Sequence, residues 1–106
     1  MSGTNNPLIV KNRVQPGFLT YLLLKGWKIE DYHIAYTQGD YQVCMEFCIG
    51  DFCVGVYHKS ETGMWDLIEQ KERIEDFTYA FLRATDLKRQ VEQGEIVAPR
   101  PKSLLD

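Results

Sequence analysis

The segment from Tyr41 to Ile49 alternates between large apolar residues at odd positions and polar or small residues at even positions. A period of two places alternate side chains on opposite faces of a β-strand, so this pattern predicts a strand with one buried face. Gly50-Asp51 follows, and a second apolar run extends from Phe52 to His58. A two-residue loop that begins with glycine predicts a tight hairpin between the runs. The predicted register places three pairs opposite each other: Ile49 and Phe52, Cys48 and Cys53, and Met45 and Val56.

A second turn is predicted at Gly39-Asp40, because the preceding segment, from Tyr32 to Tyr36, also alternates. With this turn, Ile34 lies opposite Met45, and three strands share one apolar face. The residues on that face are Tyr32, Ile34, Tyr36, Val43, Met45, Phe47, Val54 and Val56. We therefore expect an antiparallel β-meander, with residues 64–68 as a fourth strand or as the start of the next helix.

Two helices are predicted around the meander. Pro16 suits the first turn of a helix and Gly26 suits the position just past its end, so residues 16–25 are expected to form a short, mostly buried helix. From Lys71 to Gln93, apolar residues recur every three or four positions, which predicts a long helix. These residues are Ile74, Phe77, Phe81, Ala84, Leu87 and Val91. Residues 8–10 are expected to form an edge strand.

The predicted fold class is therefore α+β: a short N-terminal helix, a three- or four-stranded antiparallel β-meander and a long C-terminal helix packed on the sheet. The chain has 106 residues, the usual size of one domain. Its 44% hydrophobic and 25% charged residues are typical of globular proteins and exclude bulk disorder. We expect a single domain over residues 1–106, with a mobile lead at residues 1–7 and an extended tail at residues 97–106.

The net charge, the length of the apolar runs and the number of cysteines limit the expected partners and the expected location of the protein. The net charge is −3, whereas proteins that bind nucleic acid electrostatically usually carry a basic excess, so nucleic acid is not an expected partner. The densest apolar run, residues 18–24, is far shorter than the about 20 residues of a membrane span, and it starts too far inside the chain for a signal peptide. Three cysteines, an odd number, argue against a secreted disulfide scaffold. We expect a cytoplasmic protein without a membrane partner.

Two of the cysteines are the main candidates for chemistry. On the outer face of the predicted sheet, Asp31, Cys48 and Cys53 would form one row, and His33 and Glu46 would lie in the next. Thiols, imidazole and carboxylate are zinc ligands. However, a Cys-x4-Cys spacing across a turn differs from that of a zinc knuckle, and a flat sheet splays its side chains. We therefore expect no resident metal and no cofactor; the candidate ligands, if a metal binds, are Cys48, Cys53, His33 and Asp31.

Catalysis is not expected from this sequence. A nucleophilic cysteine needs a histidine and an orienting acid within a pocket that also supplies oxyanion donors. His33, Cys48 and Asp31 would lie on an open strand face, and the sequence has no glycine-rich phosphate loop. We predict that the chain is not an enzyme and that His33 and Glu46 form a cross-strand pair.

Protein binding is the function that the remaining features favour. One long helix covers one face of the predicted sheet, and the other face carries apolar or small residues: Ala35, Cys44, Cys48, Cys53 and Tyr57. Residues 16–25 or a second copy of the chain would have to cover this face, so self-association as a homodimer is expected.

The acidic residues Glu72, Glu75 and Asp76 would offer a second surface, suited to a basic partner. The leading interpretation is a regulator, adaptor or inhibitor that binds another protein through these residues or through Cys44 and Tyr57 on the sheet face. The alternative is a thiol-based redox or zinc-sensing protein that uses the cysteines at positions 48 and 53.

Overall fold

Three helices and six strands make up the part of the chain that the computed structural model describes, residues 9–69 and 71–98. The helices are α1 (Val10–Arg13), α2 (Pro16–Leu24) and α3 (Phe77–Glu92). The strands are β1 (Trp27–Ile29), β2 (His33–Gln38), β3 (Tyr41–Phe47), β4 (Phe52–Lys59), β5 (Trp65–Leu67) and β6 (Glu72–Ile74). All the strands belong to one antiparallel sheet, on which α3 packs. The predicted α+β fold class is confirmed.

Strands β1 to β4 follow one another across the sheet as a meander. The far edge of β4 then pairs with two short strands: β5 along its C-terminal part and β6 along its N-terminal part. The sequence pattern predicts the three central strands. It predicts either a fourth strand or the start of the next helix for residues 64–68, and Trp65–Leu67 form β5. The pattern does not predict β1 and β6, because three residues are too few for a period of two to stand out.

The register between β2 and β3 is the predicted one, with Ile34 opposite Met45. Between β3 and β4, Met45 lies opposite Val54 and not opposite Val56, so the predicted register is wrong by two residues. Two residues are one full period of a strand, and the shift therefore leaves every side chain on its predicted face. Six of the predicted inner-face residues are buried: Ile34, Val43, Met45, Phe47, Val54 and Val56. Tyr32, which precedes β2, is exposed.

The shift arises in the loop between β3 and β4. The last strand pair is Phe47 with Phe52, so the loop has four residues, 48–51, and not two. Within this loop, the N–H of Cys48 donates a hydrogen bond to the carbonyl of Asp51 at 3.0 Å. Gly50 has a φ of +84°, where a residue with a Cβ is strained. The two phenylalanine rings pack edge to face, 5.1 Å apart, which favours this register. Ile49, predicted to be paired, is 83% exposed.

The core lies between the inner sheet face and α3. The buried residues of α3 are Ala80, Ala84, Leu87 and Val91. Helix α2 lies beside α3, because the ring of Phe18 contacts the rings of Phe77 and Phe81 at centroid distances of 5.8 and 5.0 Å. Helix α2 is therefore on the inner side of the sheet. Its bounds are close to those predicted, but Leu22 is its only buried residue and Leu24 is 81% exposed, so a mostly buried helix is wrong.

Helix α3 begins at Phe77 and not at Lys71. Residues 72–74 pair with the edge of β4 as β6. Asp76 has an extended backbone, and its side chain accepts a hydrogen bond from the N–H of Tyr79 at 3.0 Å, so it is the N-cap of α3. The helix predicted over residues 71–76 is wrong, because the unpaired edge of β4 supplies hydrogen-bond partners to residues whose spacing alone fits a helix.

The prediction of an edge strand over residues 8–10 is also wrong for residues 9 and 10, which the structure describes. Val10 begins α1, is fully buried, and donates its N–H to the carbonyl of Asp31 at 2.8 Å. Residues 1–8, which include the predicted mobile lead, and residues 99–106, which include most of the predicted tail, lie outside the described residues.

Two substitutions of Asp76 separate the effect of its N-cap hydrogen bond on stability from the effect of its negative charge. We expect Asp76→Ala to lower the free energy of unfolding by about 1 kcal/mol, because the N–H of Tyr79 loses its acceptor. Asp76→Asn keeps an acceptor and removes the charge, so it should cost less than Asp76→Ala. Glu75→Ala, at an exposed neighbouring position, is the control. Urea unfolding followed by circular dichroism measures all three, and equal losses for Ala and Asn would contradict the capping role.

Candidate functional site

Two cysteines meet at the closed end of the β3–β4 hairpin. Cys48 is the first residue of the loop, and Cys53 is the second residue of β4. Cys53 points to the outer face, because its neighbour Phe52 points into the core and side chains alternate along a strand. The Sγ atoms of the two cysteines are 3.7 Å apart. Cys53 is buried and Cys48 is half-buried.

Asp51, the last residue of the loop, completes a group of three. One carboxylate oxygen of Asp51 and the sulfur atoms of Cys48 and Cys53 all lie within 4.8 Å of one another. The Oδ2 atom accepts a hydrogen bond from Nε of Arg73 at 2.9 Å. The Oδ1 atom is buried and accepts no hydrogen bond from the residues that the structure describes. A buried carboxylate oxygen without a donor is costly, and a water molecule or a cation would remove this cost.

The loop is held from two sides. Strand β6 places Arg73 opposite Cys53, from where its guanidinium reaches the carboxylate of the loop. On the other side, Nη1 of Arg13 in α1 donates to the carbonyl of Cys48 at 3.2 Å. The same guanidinium lies 4.5 Å from the ring centre of Phe52, within cation–π distance. The positions of the thiols and the carboxylate therefore depend on contacts far apart in sequence.

The electrostatic surroundings hold Cys48 in its thiol form. Burial raises its pKa, and the contact with Cys53 and the negative charges of Asp51 and Glu46 raise it further. The thiolate is the reactive form of cysteine, so a thiol with a raised pKa is a slow nucleophile. The group is therefore poorly suited to nucleophilic catalysis, whereas the same negative charges favour a bound cation.

A polar cluster covers the outer sheet face beside the thiols. Nζ of Lys71 donates to Oε1 of Glu46 at 2.6 Å, and the hydroxyl of Tyr57 donates to the same oxygen at 3.3 Å. Lys71 lies across Gly55, where a Cβ would be 3.7 Å from Cγ of Lys71 and 3.0 Å from Cδ1 of Leu67. Glycine in this strand interior lets Leu67 and Lys71 lie against the sheet.

Cys44 lies under this cover, opposite Gly55 in the register. It is 7% exposed, and its burial, together with the charge of Glu46, raises its pKa to about 12. On the sheet face expected to be bare, Ala35, Cys44 and Cys53 are buried within one chain; Lys71 and Leu67 lie over Gly55, and α2 lies on the other face.

Of the four candidate ligands predicted from the sequence, the structure brings together Cys48 and Cys53. His33 lies opposite Glu46, with the strand β3 between it and Cys53, and it is not part of the group; nor is Asp31, which is exposed ahead of β2. The register pair of His33 and Glu46 is the predicted one, but the carboxylate of Glu46 is bound by lysine and tyrosine.

The five residues predicted to bind a partner have different surroundings. Cys44 is buried, and Tyr57 is half-buried with its hydroxyl hydrogen-bonded. Glu72 is half-buried and paired with an arginine of α3. Asp76 caps α3, and Glu75 is exposed.

Sequence reasoning misses Asp51 and Lys71. The spacing Cys-x2-Asp-x-Cys could have indicated that Asp51 joins the two cysteines, but only if the hairpin loop has four residues. Gly55 is a signal for the second, because glycine inside a strand often marks the close approach of another segment. That signal does not say which segment approaches.

A cleft of about 700 Å³ opens at the other end of β4. His58, Asp40 and Asp66 are among its lining residues, and no cysteine is. The thiols therefore do not face this cleft.

Comparisons with known protein families, curated proteins and solved structures give no match to the chain. Among the described residues, no helix is both long enough and apolar enough to cross a membrane. The function is therefore inferred from the chain's own residues.

The burial of the three thiols predicts their order of reactivity. In the folded protein, we expect Cys48 to react with a soluble disulfide reagent at least about tenfold faster than Cys44, whose burial and raised pKa leave little accessible thiolate. Cys53 should be intermediate. Quenched samples analysed by peptide mass spectrometry give the three rates, and denatured protein is the control in which the rates converge. A Cys44 that reacts as fast as Cys48 in the folded state would contradict the buried position.

Proposed function

We propose that the protein is a non-enzymatic binding domain, a regulator, adaptor or inhibitor that acts by contact with another protein. The observation that supports this proposal is a set of large apolar side chains left in solvent on the two helices of the inner side. They are Tyr21, Leu23 and Leu24 on α2 and Tyr79 and Leu82 on α3, each at least 44% exposed. We call these five residues the helical apolar surface. Exposed apolar patches are typical of interaction sites.

The two helices form one layer, because Phe18 of α2 packs between Phe77 and Phe81 of α3. Leu24 lies two positions along α2 from the buried Leu22, which is about 200° around an α-helix, so it projects away from the sheet. Leu82 lies in the same relation to the buried Ala80 of α3 and also projects away from the sheet. Tyr79 is likewise about 200° from Phe77 and Phe81, so it lies on the side of α3 that faces away from α2. Tyrosine is enriched among the residues that carry most of the binding energy in protein interfaces, and Tyr21 and Tyr79 belong to this surface.

The charged groups of α3 are a weaker candidate, since they are paired within the chain. The ion pairs are Arg83 with Glu72 and Asp86, Arg89 with Asp86 and Glu95, and Lys88 with Glu92. Of the predicted acidic surface, Glu72 is therefore in an ion pair and Asp76 is the N-cap. The helical apolar surface supports protein binding better than either surface predicted from the sequence.

The partner we propose is another protein with a complementary apolar surface, and a second copy of the chain fits that description, so a homodimer belongs to the proposal. We also propose a cytoplasmic location, because all three cysteines are free and thiols persist in reducing compartments.

The most exposed residue of the surface provides the test. We expect Leu24→Glu to change the free energy of unfolding by less than about 0.5 kcal/mol, because the side chain is already in water. The same change should weaken partner binding at least about tenfold, since a charge would be buried in an apolar interface. Affinity capture from native extract, followed by titration of the captured partner, measures the loss.

The matched control is Met64→Glu, at a 67% exposed position in the loop between β4 and β5. It should leave binding unchanged. Equal binding by wild type and Leu24→Glu would remove the helical apolar surface from the proposal, and a wild-type monomer in light scattering would remove the homodimer.

Thiol-based sensing is a second candidate function, and the contact between Cys48 and Cys53 favours it. Oxidation joins the two sulfur atoms and releases two protons and two electrons. A disulfide such as oxidised glutathione takes up the electrons and is reduced to two thiols. The sulfur atoms are 3.7 Å apart, so a disulfide of about 2.05 Å requires them to approach each other by about 1.7 Å.

We expect oxidised glutathione to lower the number of free thiols from three to one, with Cys44 still free. Cys48→Ser should abolish formation of the bond. Thiol titration in denaturant and peptide mapping measure the outcome. A bond that includes Cys44, or a stable glutathione adduct on Cys48 in place of an internal disulfide, would count against this candidate.

A further inference from the structure

We propose that the end of the β3–β4 hairpin is a Zn²⁺ site, with the Sγ atoms of Cys48 and Cys53 and the free Oδ1 atom of Asp51 as its protein ligands. This inference is separate from the protein-binding proposal. It gives the thiol-based candidate a specific ligand, and its test is carried out under reduction so that it does not depend on disulfide chemistry.

The separation of the two sulfur atoms fits zinc geometry. Thiolate sulfur binds zinc at about 2.3 Å, and two ligands at a tetrahedral angle are then about 3.8 Å apart. The observed separation is 3.7 Å. The sulfur atoms can therefore bind one ion while the hairpin keeps its conformation.

The carboxylate supplies the third ligand and an independent reason to expect a cation. Oδ1 of Asp51 is buried without a hydrogen-bond donor among the described residues, and its carboxylate lies within 4.8 Å of both sulfur atoms. Arg73 holds the other oxygen, Oδ2, which fixes the orientation of the carboxylate. Such outer contacts commonly position metal ligands.

The chemistry of the ligand set selects zinc. Two thiolates and one carboxylate form a soft, anionic set that favours Zn²⁺ over Mg²⁺ or Ca²⁺, which prefer oxygen ligands. Each thiol releases its proton when its sulfur binds the ion, so one Zn²⁺ displaces two protons. Three protein ligands leave one tetrahedral position for water or for a donor atom from a partner.

The test is a titration of reduced, chelator-treated protein with Zn²⁺ alone, followed by calorimetry, and with Co²⁺ as a spectroscopic probe of thiolate ligation. We expect one ion per chain and a thiolate-to-cobalt absorption band. Cys48→Ser and Cys53→Ser should each weaken Zn²⁺ binding at least about 100-fold, and Asp51→Asn at least about tenfold.

One matched control and one positioning variant keep the outcome specific. Cys44→Ala removes the third thiol and should leave Zn²⁺ binding unchanged. Arg73→Gln removes the ion pair with Asp51 but no ligand, so it should keep one bound ion per chain with thiolate absorption but weaken Zn²⁺ binding about tenfold. Far-UV circular dichroism of the metal-free variants shows which of them fold, and only folded variants are compared. No binding by wild type at micromolar Zn²⁺, or binding that survives both Cys48→Ser and Cys53→Ser, would overturn the proposal.

Discussion

Ile34, Met45 and Val54 lie side by side on three neighbouring strands, and each is at most 1% exposed. Burial of one such side chain stabilises a fold by roughly 1.5–3 kcal/mol, so this row holds β2, β3 and β4 together in one register and with one face toward α3. Because side chains alternate, the inner row also decides which residues face outward. Glu46 and Cys53 are neighbours on the outer face for this reason, and both the thiol group and the polar cluster depend on it.

The same alternation explains which parts of the structure can be predicted from sequence. A period of two identifies the strands and their buried faces, and those predictions hold for the central sheet. The period of two cannot reveal a register shift of two residues, because such a shift leaves the pattern of buried faces unchanged. The loop that causes the shift has four residues, and the packing of Phe47 on Phe52, a contact that no local pattern contains, favours four over two. Asp51 joins Cys48 and Cys53 only in the longer loop.

Residues 71–76 show a second limit of the same kind. Ile74 fits the apolar stripe of a helix, but it also fits a short strand at the edge of β4. The edge offers hydrogen bonds that a longer helix would leave unmade, and Asp76 provides an N-cap at the point where the helix then starts. Lys71 and Arg73 reach the outer face only because of this choice. Their long-range contacts therefore could not be predicted from spacing.

The two proposals concern opposite sides of the molecule. The helical apolar surface belongs to the layer that covers the inner face of the sheet, whereas the two thiols and Asp51 meet at the hairpin end on the outer side. Two described contacts link these regions. Arg73 of β6, a strand that adjoins α3, binds Asp51, and Arg13 of α1, just before α2 in the chain, donates to the carbonyl of Cys48. An ion that takes Oδ1 leaves Oδ2 with Arg73, so ligand binding need not break that contact. The proposed partner binding and the proposed metal binding therefore use separate residues, and any coupling between them would pass through β6, through α1 or through the core between them.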